Sequence, residues 1–175
     1  MQTEKIILGG GCFWCIEAIF SHLKGVKSAI SGYAGGDKED ANYRAVCTKQ
    51  TGHVEVVEVT FDPAIITLET ILKVYLDSHD PTSMDRQGAD AGPQYRSVIF
   101  YTSENQKQVA EKIIQDSNQN YDSDIVTHVL ELKEFFTAEK YHQKYYDNNP
   151  TNGYCLAVIG PKVQKIKTKY ADIWE

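Results

Sequence analysis

The sequence predicts an α+β fold, a ferredoxin-like split βαβ two-layer sandwich with long loops and extra C-terminal segments. Three observations predict it. Apolar runs and amphipathic stretches recur in the order strand, helix, strand, strand, helix, strand. Residues 35–52, between the second and third strands, are polar and glycine-led, an awkward place for the crossover helix that a doubly wound parallel sheet needs. At 175 residues the chain is expected to form one domain, residues 1–175, large enough to bury a core without staples.

The elements follow in order. Lys5-Ile6-Ile7-Leu8 is a short apolar run that reads as a buried strand. Ile16, Ile19, Phe20 and Leu23 fall on one face of a helix, with Gly25 expected as its C-terminal cap. Residues 26–33 alternate as a second strand, and Val54–Phe61 is the clearest strand, closed by Asp62-Pro63. Leu68, Ile71, Leu72 and Tyr75 mark a second helix, with Thr67 as N-cap. Residues 80–96 show no periodicity and read as one long loop. A strand at Val98–Tyr101 precedes a third helix, opened by the capping box Ser103-x-x-Gln106 and running to about Ile114. Residues 125–132 read as a last strand and residues 141–146 as a short helix. From about residue 147, Asn148-Asn149-Pro150 and Asn152-Gly153 make a turn-rich tail, expected to be mobile and near the surface. Val163, Ile166, Tyr170 and Ile173 give a final helix that Pro161 opens.

Composition narrows the function. A formal charge of −6 spread along the chain argues against nucleic acid or anionic membrane as a partner. The apolar run at Ile6 is too short for a signal-peptide core or a membrane span, so a cytoplasmic protein is expected. Four cysteines in that setting point to thiol chemistry or a metal rather than to structural disulfides.

The chemistry concentrates in Gly9-Gly10-Gly11-Cys12-Phe13-Trp14-Cys15-Ile16-Glu17. A glycine loop here joins a strand to a helix and sets Cys12 at the helix N-terminus, where backbone N–H groups and the dipole favour an anion. That placement predicts a Cys12 thiolate with a lowered pKa. Phe13 and Trp14 either wall an apolar pocket beside the sulfur or belong to the core. Cys12 and Cys15 form a C-x-x-C that reads as a redox pair, as half of a zinc site, or as two inert buried thiols. No second C-x-x-C or His pair accompanies it. Glu55 shares a strand face with Val57, Val59 and Phe61. If that is the core face, burial makes Glu55 a general acid near neutral pH; if not, it is merely solvated. In the long loop, Asp90, Tyr95 and Arg96 are the polar candidates. His22, His128 and His142 read as structural or exposed.

Five ordered blocks carry a resemblance: Gly11-Cys12-Phe13-Trp14, Tyr43-Arg44-Ala45-Val46-Cys47, Thr51-Gly52-His53-Val54-Glu55, His79-Asp80-Pro81-Thr82, and Gln87-Gly88 through Asp90 to Gly92-Pro93-Gln94-Tyr95-Arg96-Ser97. Together they resemble the signature of class A peptide methionine sulfoxide reductases, over nearly the whole chain. The resemblance implies Cys12 as the nucleophile that attacks the sulfoxide sulfur and Phe13 and Trp14 as the site for the substrate methyl group. It implies Glu55 as the proton donor to the sulfoxide oxygen, assisted by Tyr43 and Tyr95. Asp90 would bind substrate or order its water. Cys155 would be the recycling thiol, forming a disulfide with Cys12 after a sulfenic acid has formed.

The same resemblance implies repair of oxidised proteins, selectivity for the S epimer, and no metal or organic cofactor. Thioredoxin or a small dithiol is the implied reductant, and a monomer is expected. Only Cys155 follows Cys47, where some relatives carry two recycling cysteines, and Cys15 stands where many relatives have glycine. Cys47 reads as structural. The alternative reading is a thiol–disulfide oxidoreductase using Cys12 and Cys15. A zinc-binding interaction module is a third.

Overall fold

A computed structural model describes residues 2–175. Along the chain lie β1 (Glu4–Gly9), α1 (Phe13–Phe20), β2 (Val26–Ala34), α2 (Tyr43–Val46), β3 (Val54–Phe61) and α3 (Leu68–Asp77). A small ribbon of β4 (Arg86–Gln87) and β5 (Asp90–Ala91) precedes β6 (Val98–Tyr101), α4 (Glu104–Ser117), β7 (His128–Glu131), β8 (Phe135–Thr137), α5 (Tyr145–Asn148) and α6 (Gly160–Lys169). The main sheet has the order β7-β6-β1-β3-β2-β8. All neighbours are antiparallel except β6 and β7. The inner four strands, with α1 crossing from β1 to β2 and α3 from β3 to β6, make the split βαβ arrangement expected from the sequence. β7 and β8 extend it at the two edges.

The period-two pattern of β3 explains the layers. Val57, Val59 and Phe61 join Ile6 and Leu8 of β1 in the main core, against Ile16, Ile19 and Phe20 of α1 and Ile71, Leu72 and Tyr75 of α3. Val54 and Val56 point the other way, into a smaller cluster with Ile7, Val98 and Phe100. The central strands are therefore buried on both faces. Thr67 caps α3 by accepting from Thr70 N–H at 3.2 Å.

Several boundaries differ from the sequence expectation. α1 ends at Phe20 with Ser21 as its cap. Gly25, at φ +92°, instead turns the chain into β2, and Leu23 stays buried without being helical. Ser103 accepts from Gln106 N–H as expected, but the Gln106 side chain accepts from Thr102 N–H, one residue before the cap. The strand expected over 125–132 shrinks to β7, because the N–H groups of Ile125 and Val126 bond to Asn118 and Pro81 instead of a ladder. Residues 141–146 break in two at Lys144, whose φ is +53°. The loop over 80–96 holds the β4–β5 ribbon and a single 3₁₀ turn at Pro93–Tyr95. Pro161 does open α6, but a π-turn at Cys155–Ile159 precedes it, and Tyr170 separates Ile173 into a turn of its own. No described helix is long and apolar enough to cross a membrane.

Candidate active site

β1 runs into the glycine loop, and the loop is packed from behind. A Cβ on Gly10 would lie 2.6 Å from the His79 ring, so only glycine fits there. His79 is fixed by Tyr75 carbonyl at Nδ1 (2.8 Å) and Ser97 Oγ at Nε2 (2.7 Å), and burial pushes its pKa down to about 4. The imidazole is therefore a neutral spacer. Tyr75 donates from its hydroxyl to the Gly9 carbonyl at 2.6 Å. Gly11, at φ +83°, donates to the Tyr95 carbonyl at 3.0 Å, which joins the loop to the turn carrying Tyr95.

Cys12 occupies the N-cap position of α1, as expected, with extended backbone. Its pKa does not follow the expectation. Burial, then the Glu55 carboxyl and the Cys15 thiol, push the Cys12 thiol well above the usual value. The Trp14 N–H pulls the other way and does not prevail. In the free protein the proton stays on sulfur.

Cys12 lines a cavity of about 320 Å³ together with Phe13, Trp14, Tyr43, Glu55, Asp90 and Tyr95, among other residues. Larger cavities exist, including one of about 480 Å³ beyond Asp90, but none of the four thiols lines it. Glu55 is 1% exposed, and its Oε1 accepts from Phe13 N–H at 3.2 Å, beside Cys12 in sequence. Burial raises its pKa to about 8, against the pull of that N–H and with Asp90 adding to the rise. The carboxyl is thus protonated near neutral pH, the state a general acid needs. Tyr43 and Tyr95 stay protonated, held up first by burial and also by Glu55. Tyr43 N–H donates to Glu139 Oε2 at 2.8 Å, and Tyr33 hydroxyl to Glu139 Oε1 at 2.9 Å.

The cavity is rimmed and backed by residues to which the sequence reading gave no part in the site. Tyr145 of α5 stacks on Trp14, with centroids 3.6 Å apart and planes 4° from parallel. Trp14 Nε1 donates to His142 Nδ1 at 3.0 Å. Tyr154 donates to Asp90 Oδ2 at 2.5 Å, and Asn152 completes the rim. Their aromatic density between residues 141 and 154 was the only available signal. Arg96 lies outside this cavity, bonding Pro93 and Gly52 carbonyls.

The tail also corrects the expectation for Cys155. It is 1% exposed, packed at the start of the π-turn. Cys155 and Cys12 both neighbour Cys15: Cys155 raises the Cys15 pKa, and Cys15 raises that of Cys12. Burial brings Cys15 to about 11. All four cysteines are free thiols, Cys47 being exposed. No group of three or more His, Cys, Asp or Glu side chains suited to a metal is found among the described residues.

Comparison with known proteins is consistent across sequence and structure. The family model "Peptide methionine sulfoxide reductase" matches residues 4–173. Peptide methionine sulfoxide reductase MsrA of Chromobacterium violaceum is 49% identical, covering 97% of this chain and 98% of its own. Reduced Mxr1 of Saccharomyces cerevisiae superimposes with a TM-score of 0.82 at 32% identity, covering 88% of this chain and 90% of its own. Mxr1 in complex with Trx2 gives a TM-score of 0.58 at 23% identity, covering 82% and 85%, a likeness of fold alone.

Proposed function

The chain belongs to the peptide methionine sulfoxide reductase family, and we propose that it reduces methionine-(S)-sulfoxide, in proteins, peptides and free form, through a Cys12 sulfenic acid. The activity is thiol-dependent reduction of methionine sulfoxide; the thiol–disulfide oxidoreductase alternative is not favoured. The observation that carries the residue assignment is the buried, protonated Glu55 carboxyl on the Phe13 N–H, in one cavity with Cys12.

Cys12 Sγ attacks the sulfoxide sulfur while Glu55 gives its proton to the oxygen. The oxygen then passes from the substrate sulfur to Cys12 Sγ: a Cys12 S–O bond forms as the substrate S–O bond and the S–S bond made by the attack both break. Methionine leaves reduced by two electrons, and Cys12, oxidised by two, is left as a sulfenic acid. The thiol proton of Cys12 replaces the one Glu55 gave, so the step needs no outside proton. Tyr43 and Tyr95 stabilise the polarised oxygen by donation. Phe13 and Trp14 receive the methyl group, and Asp90 binds the substrate or orders its water. Cys155 then condenses with the sulfenic acid, releasing water and forming a Cys12–Cys155 disulfide.

Thioredoxin is the proposed reductant, supported by the complex of the related Mxr1 with Trx2. A small dithiol serves in its place, and no metal or organic cofactor enters the reaction. Action as a monomer in the cytoplasm completes the reading. The test is an assay of both epimers of a protected methionine sulfoxide with dithiothreitol. Turnover of the S epimer alone, abolished by Cys12→Ser, is expected. Turnover that survives Cys12→Ser removes the assignment, because a serine hydroxyl is a poor nucleophile at neutral pH.

A further inference from the structure

Glu17 is buried at 3% exposure on α1, one turn after Trp14, and the reaction gives it no task. Both carboxylate oxygens accept from one backbone group, Lys144 N–H, each at 2.8 Å. Lys144 has φ +53°, a conformation non-glycine residues rarely adopt, and it separates His142 from Tyr145. Those two residues are the ones that grip Trp14, His142 by the indole N–H and Tyr145 by stacking. The contacts close a ring: Trp14 to Glu17 along α1, Glu17 to Lys144, Lys144 to its flanking side chains, and these back to Trp14. Gln143 anchors the same segment to Ser31, accepting its N–H at 3.0 Å and donating to its carbonyl at 2.9 Å.

We propose that Glu17 is a positioning residue for the reduction. By holding Lys144 N–H, its carboxylate fixes the left-handed hinge between His142 and Tyr145. It thereby sets the indole plane of Trp14 as the apolar wall for the substrate methyl group. This role rests on the reading of Trp14 as part of the substrate site. Burial works against the charge, lifting the Glu17 pKa to about 7, and the Lys144 N–H is the strongest influence holding it down. A neutral amide in its place accepts that bond more weakly.

The test uses Glu17→Gln and Glu17→Asp in a Trp174→Phe background, which leaves Trp14 as the one tryptophan of the two in the chain. Single turnovers without reductant are followed against substrate concentration. In Glu17→Gln the half-saturating sulfoxide concentration should rise about 5–20-fold while the rate at saturation stays within about twofold, the pattern of lost binding rather than lost chemistry. Trp14 emission should shift and its quenching by acrylamide should increase, as the stack loosens. Glu17→Asp retains the charge but lacks the reach, and should move in the same direction.

Unchanged Trp14 emission in Glu17→Gln overturns the proposal, as does a changed emission with unchanged half-saturation. A fall in the saturated rate alone assigns Glu17 to chemistry and also overturns it. If neither variant folds, the residue serves the fold and the positioning role is lost. Failure of the parent to reduce sulfoxide would refute the functional reading separately, with the fluorescence comparison still readable.

Discussion

Two groups in the Cys12 cavity hold their protons at neutral pH, the nucleophilic thiol and the Glu55 carboxyl, both mainly through desolvation, Glu55 being buried and Cys12 half-buried. A thiol in that state is protected from adventitious oxidation, and its activation waits for a substrate that takes the Glu55 proton. The single-turnover rate should therefore fall as pH rises through about 8, where Glu55 ionises in the folded protein. Glu55→Gln should lose that limb and about 10²–10⁴-fold in rate, the usual cost of a positioned acid. A Glu55→Gln rate equal to the parent's across the pH range would place the acid elsewhere. Tyr43→Phe and Tyr95→Phe, assayed singly in the same way, should each cost less, since one donor remains. At this scale much was legible in the residues alone: Glu55 lies on the Val57 face because strand period fixes it. The Cys12 pKa was not legible, since a helix start is visible in sequence but the desolvation of the sulfur by distant parts of the chain, and the Glu55 carboxyl beside it, are not.

Elements defined by their own pattern came through well, and those defined by distant contacts did not. β3 and α3 carry regular periodicity, β6 is an unbroken apolar run, Thr67 caps α3, and the bounds of all three agree with expectation to within two residues. The segment from Tyr141 onwards is shaped by contacts more than a hundred residues away, such as Trp14 to His142 and Glu17 to Lys144. Turn-forming composition from about residue 147 suggested an exposed strap, and Asn148, Pro150, Asn152 and Gly153 are exposed, but Tyr154 lines the cavity and Cys155 is buried. Cys155→Ser should still release about one methionine per enzyme, the stoichiometry of an unresolved sulfenic acid. Its turnover with thioredoxin should fall sharply, with small thiols restoring it, while Cys15→Ser recycles nearly as the parent does. Peptide mass spectrometry after substrate oxidation should show a Cys12–Cys155 crosslink. A Cys12–Cys15 bond would instead make the C-x-x-C the redox pair.

The whole molecule bears the cost of keeping carboxyls dry. Glu55 and Glu17 have folded pKa values raised from 4.5 to about 8 and about 7, both primarily by burial. The sign follows from linkage: between pH 4.5 and 8 the unfolded chain gives up these protons first, so the folded state binds more protons and stability falls as pH rises. The penalty is absent below pH 4.5 and complete above about 8. His79 works oppositely: its pKa, lowered to about 4, costs stability as pH falls below 6.5. Glu55→Gln removes one ionisation and retains an acceptor for Phe13 N–H. It should melt at the parent's temperature near pH 4.5 and increasingly above it up to pH 8. At about 1.4 kcal/mol per pKa unit the rise from 4.5 to about 8 sets a ceiling of about 5 kcal/mol on the gain, or roughly 10–20 °C for a chain of this length. The same substitution that removes the acid would thus strengthen the fold, as expected where a site is built at the expense of stability. Equal melting temperatures for the two proteins at pH 8 would show that Glu55 ionises as freely in the fold as in the unfolded chain, and the general-acid assignment would lose its physical basis.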